Sequence, residues 1–76
     1  MRLYLIRRTD NFSYDEYDSA VVAAKSKKDA STIHPEEDAR YRDYGWTTLD
    51  NIEVKYIGRA KRRTKRGVIC ASYNAG

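Results

Sequence analysis

RLYLIRR, residues 2–8, has apolar or aromatic side chains at four consecutive positions, Leu3 to Ile6, and closes on a polar cluster. Read with a two-residue period, it sets Leu3 and Leu5 on one face of a strand and Tyr4 and Ile6 on the other. Apolar groups on both faces suit a strand with neighbours on either side, so this segment is expected at the centre of a sheet.

The polar loop that follows, TDNFSYDEY at 9–17, is interleaved with Phe12, Tyr14 and Tyr17. DSAVVAA at 18–24 then reads as a second strand around Val21 and Val22, joined to the first by a hairpin or a wide loop. Ser26 opens a helix in a capping-box-like pattern: its hydroxyl accepts an amide bond, and Asp29 sits near the positive helix end. Ala30 and Ile33 share one face. Pro35 disfavours helical geometry at His34, so the helix is expected to run about two to three turns and to need the sheet for support.

Residues 36–51 lack a clear period. Proline followed by acidic residues allows a second short helix from Pro35 through Tyr41, and Trp46 and Leu49 are expected to fold this stretch onto the core. IEVKYIGRA at 52–60 alternates Ile52, Val54 and Tyr56 against Glu53, Lys55 and then Ile57, a third strand with one buried face, and VICASY at 68–73 is a fourth strand. The connection between them suits an antiparallel hairpin with a basic tip. The order β-β-α-(α)-β-β predicts an α+β class: one domain over 1–76, with a mainly antiparallel four-stranded sheet and one or two short helices packed on one face.

A chain of 76 residues has a small core, of a size that rarely supplies more than about 3–5 kcal/mol. One cysteine, Cys70, excludes an internal disulfide, and with His34 as the single histidine no structural zinc site can be built. Oligomerisation, for example as a homodimer, or docking on a larger partner would add buried surface. No apolar run is long enough for a signal peptide or a membrane span, so the expectation is a cytoplasmic protein with no membrane partner.

The net charge is +4, but Arg59, Lys61, Arg62, Arg63, Lys65 and Arg66 contribute six positive charges within residues 59–66, leaving −2 for the rest. Such a cluster can neutralise phosphates or pair its guanidinium forks with carboxylates on a protein. It can also serve only as a solvated turn. Of seven tyrosines, Tyr14, Tyr17, Tyr41 and Tyr44 lie in polar loops and are the candidate aromatic contacts; the others suit ordinary strand positions. Asp10, Asp15, Glu16 and Asp18 lack the spacing of a calcium loop. Glu53-Val54-Lys55 imitates the acid-x-lysine element of some nucleases without the scaffold that chemistry needs. His34 is expected to bond a helix-terminal carbonyl, and Cys70 to be buried and inert. No Gly-rich phosphate loop, catalytic set, metal site or cofactor site emerges, so the chain is expected to act by binding.

YDEYDSAVVAA, the A-x-x-I-H-P end of the helix, and the closing V-x-Y-I-G-x-A and G-V-I-x-A-S-Y-N-A-G resemble small proteins encoded by bacteriophages and prophages. The similarity covers most of the chain and is weakest at 36–51 and in the basic loop. It implies an accessory protein that binds and inhibits a host defence or nucleic-acid-processing complex, such as a CRISPR effector. A host protein or ribonucleoprotein would then be the partner, met through the basic segment and the loop tyrosines. The alternative is a module that binds nucleic acid directly through residues 59–66.

Overall fold

β1, Arg2–Arg8, takes the central position its two apolar faces require. In the computed structural model, which describes residues 1–11, 16–36, 40 and 45–74, β1 pairs antiparallel with both β2, Glu16–Ala24, and β3, Ile52–Arg59. β4, Gly67–Asn74, pairs antiparallel with the outer side of β2, so the sheet order is β3-β1-β2-β4. The class is α+β, mostly sheet, with one short helix, α1 (Lys27–Ser31), and a 3-10 turn at Leu49–Asn51.

The core lies on one face. Tyr4 and Ile6 of β1 meet Val22 and Ala20 of β2 in register, and Ala24, Ala30 and Ile33 complete the buried cluster. Trp46, Ile52, Val54 and Val68 pack around it. Ile6 and Val22 are fully buried. On the opposite face Leu3, Leu5 and Val21 are only half-buried.

Four expectations are corrected. The first concerns β3 and β4, which are not a hairpin. The β1–β2 hairpin has two open edges, and Ile52 and Val54 seal the core beside β1 while Val68 seals it beside β2. The connection must therefore cross the ends of both central strands, about 14 Å at ~4.8 Å per strand spacing, which residues 60–66 span readily. The second concerns α1, which covers five residues, less than the expected two to three turns. Ser26 Oγ does accept from the Asp29 amide at 3.1 Å. However, the Ser31 and Thr32 hydroxyls donate to the Lys28 and Asp29 carbonyls at 2.6 and 2.7 Å, competing for the acceptors that continuation would use.

The third concerns Cys70, which is exposed: on the edge strand β4 it pairs with Val21, on the half-buried face away from the core. The fourth concerns Leu49, which is also exposed, lying on the 3-10 turn; only Trp46 of that pair packs on the core. Much of the second helix expected from Pro35 through Tyr41 lies outside the described residues. His34 Nδ1 accepts from the Glu36 amide at 2.9 Å. No helix among the described residues is long and apolar enough to cross a membrane.

Candidate polyanion-binding site

The register of the sheet assembles a basic end from three separate stretches of sequence. Arg2 starts β1 opposite both Ala24, the last residue of β2, and Arg59, the last residue of β3. Lys25 follows β2 directly, Lys27 and Lys28 open α1, and the crossover carries Lys61, Arg62, Arg63, Lys65 and Arg66 past the same edge. The Ala60 amide ties the crossover to the Met1 carbonyl at 3.1 Å. Composition showed six of these cations as a cluster; pairing adds Arg2, Lys25, Lys27 and Lys28, which are distant from them in sequence.

The crossover has a defined shape. The Thr64 amide and hydroxyl both donate to the Lys61 carbonyl, at 3.0 and 2.6 Å, closing a turn with Arg62 and Arg63 at its tip. Arg63 adopts φ 71°, a left-handed conformation that non-glycine residues rarely hold. Downstream, Arg66 Nε donates to Asp29 at 2.9 and 3.0 Å and its Nη2 to Thr32 Oγ1 at 3.1 Å. Arg66 therefore anchors the crossover to α1. The Asp29 carboxyl is held below its ordinary range, first by the Lys25 amide and then by Arg66.

Asp29, the acid beside these cations among the described residues, is thus already engaged. Arg2, Lys25, Lys27, Lys28, Arg59, Lys61, Arg62, Arg63 and Lys65 form no ion pair among the described residues. An open cavity of about 500 Å³ lies here between Arg2, Tyr4, Ser26, Lys27, Tyr56 and Arg59. A second cavity, lined by Met1, Arg2, Lys25, Arg59, Ala60 and Arg62, shares Arg2 and Arg59 with it.

The acidic residues of the loop go elsewhere. Arg8 is buried, and its guanidinium grips Asp10 through two bonds at 2.7 and 3.0 Å and Glu16 through one at 2.9 Å. Asp10 also accepts from Thr47 Oγ1 at 2.7 Å. Asp18 accepts from Ser19 and Ser72. Asp15 lies outside the described residues, and no group of three or more His, Cys, Asp or Glu among the described residues could hold a metal. Glu53 faces Arg7 across the β1–β3 pairing at 2.9 Å, a surface ion pair on the half-buried face.

Of the candidate tyrosines, Tyr17 lies in β2 and not in a polar loop. Its hydroxyl donates to Glu36 at 2.9 Å, and its ring meets Tyr73 edge-on at 4.9 Å. It sits at the end of the sheet away from the basic crossover. Tyr14, Tyr41 and Tyr44 lie outside the described residues. Beside the cations lie the buried Tyr4 and the exposed Tyr56, the latter read from its alternation as a core position; its 47% exposure is a tertiary result.

No family model matches the chain, and neither does any curated protein or solved structure.

Proposed function

We propose that this protein is a non-enzymatic binding module that takes a nucleic-acid backbone across the basic end of its sheet. The observation that supports this is the convergence of nine cations, without ion-pair partners among the described residues, on one edge of a small domain. Concentrated positive charge on one face is the electrostatic footprint of phosphate binding.

The test replaces Lys61, Arg62, Arg63 and Lys65 by Gln, leaving Arg66 in place because it braces the crossover against α1. Binding of a labelled oligonucleotide is followed by fluorescence anisotropy across a salt series. Each phosphate contact contributes about 0.7–0.9 to the slope of log affinity against log salt, so the variant is expected to bind weakly with a slope smaller by about 3. Unchanged affinity and slope in a folded variant would overturn the reading.

A second reading gives the same surface a protein partner. The arginines among these cations, Arg2, Arg59, Arg62 and Arg63, offer planar forks suited to carboxylates. The resemblance to phage accessory proteins supports this role, with a host defence or nucleic-acid-processing complex as the target in the host cytoplasm. A pull-down from host lysate separates the two: a protein partner that survives nuclease treatment favours this reading.

A further inference from the structure

Tyr56 is out of place for a residue on the core-facing side of a strand. It follows Ile52 and Val54 in the alternation of β3, pairs in register with the buried Tyr4, and meets that ring edge-on at 5.7 Å. Even so, nearly half its surface is open. There are two causes. α1 packs against β3, but it is one short turn whose buried residue is Ala30, and it leaves the Tyr56 ring part-open. A register shift between Leu3 and Tyr4 also interrupts the pairing with β3 at this level, and such irregularities re-aim the side chains beside them.

The result is an aromatic ring held at one edge by Tyr4, lining a cavity of about 500 Å³. Arg2, Lys27 and Arg59 line the same cavity, and none of them forms an ion pair among the described residues. Arg2 and Arg59 also line the neighbouring cavity that leads to Arg62 on the crossover.

Resting on the nucleic-acid reading above, we infer that this cavity takes one unit of a single strand, its base stacked on Tyr56 and its phosphates passed along Arg2, Arg59 and Lys27 toward Arg62. A π-face beside a basic track is the arrangement by which proteins hold single strands, because every base offers a face to stack. A duplex buries those faces between its own base pairs and offers its backbone and groove edges, with no open base face along its length. The ligand class is therefore single-stranded nucleic acid.

The experiment measures anisotropy with three probes: a labelled oligothymidylate about ten nucleotides long, the same backbone carrying abasic residues, and a hairpin duplex of equal charge. Tyr56→Ala is expected to weaken the oligothymidylate roughly 5- to 100-fold, the usual size of one lost stack. It should leave the abasic strand, the duplex and the salt slope unchanged. Tyr56→Trp should retain or improve binding. Should Tyr56→Ala fail to fold, Tyr56→Leu keeps apolar contact with Tyr4 while removing the π-face, and is expected to lose the same factor.

Equal losses on all three probes, or no loss on oligothymidylate in folded Tyr56→Leu, would overturn the inference. If the crossover variant loses every probe while Tyr56 variants lose none, the stacking site fails and the backbone-binding function stands. If the unaltered protein binds none of the probes, both fail.

Discussion

Arg8 shows how much one side chain can organise in so small a domain. It continues the buried alternation of Tyr4 and Ile6, so the strand drives a guanidinium into the interior, 7% exposed. Burial without partners would be costly, and the charge is matched by Asp10 and Glu16 on either side of the β1–β2 connection. Through Asp10 and Thr47 the same network reaches the segment that carries Trp46. Arg8→Met is expected to lower unfolding free energy by about 2–3 kcal/mol in urea, at the low side of buried-pair losses because water reaches both acids. The Arg8 guanidinium, and then the Thr47 hydroxyl, hold the Asp10 carboxyl well below its usual range. Its contribution to stability is complete above the unfolded carboxylate value of about 4 and is lost as pH falls toward the depressed one. The thermal midpoint should therefore decline on acidification below about pH 4, and Arg8→Met should flatten that decline.

At the scale of elements, α1 depends on its cap more than on its length. Five residues cannot sustain a helix alone. Ser26 accepts from the Asp29 amide, while the Asp29 carboxylate accepts from the Lys25 amide at 3.0 Å and from Arg66. One carboxylate thereby joins the end of β2, the helix and the crossover. Ser26→Ala is expected to cost about 1 kcal/mol in chemical denaturation. The Ser26 cap was legible because a capping motif is local, its residues lying within one turn. The length of α1 was not, because Ser31 and Thr32 choose between exposed and backbone-bonded rotamers only once the chain around them is placed. Cys70 and Leu49 were misjudged for a related reason: apolar type was visible, but an edge position or an unroofed turn was not.

For the whole molecule, stability and charge are arranged along different axes. The core cluster forms a single layer between α1 and one face of the sheet, centred on the fully buried Ile6 and Val22, and Ala23 is buried on the other face. Ile6→Ala removes part of that layer, and a loss of about 2–5 kcal/mol is comparable to the whole stability of a domain this size. The variant is expected to be largely unfolded at 37 °C by circular dichroism; a cooperative transition near that of the unaltered protein would show the core to be less dependent on this residue. Charge separates along the strands. Arg8, Asp10 and Glu16 form an ion-paired network at one end, near Asp18, which Ser19 and Ser72 hold, while the other end gathers cations from 2, 25–28 and 59–65. The six cations within 59–66 were evident from composition. Their union with Arg2, Lys25, Lys27 and Lys28, and the presence of Tyr56 beside them, required the sheet order.

Local pattern alone carried the central position of RLYLIRR, the strand character of the other three segments, the Ser26 cap and the α+β class, since each depends on residues within a few positions of one another. Tertiary structure assigned β3 and β4 to opposite edges and turned the expected hairpin loop into a crossover. Those outcomes follow from closing both edges of the β1–β2 hairpin over one core, a condition that involves the whole chain and that no single stretch of sequence contains.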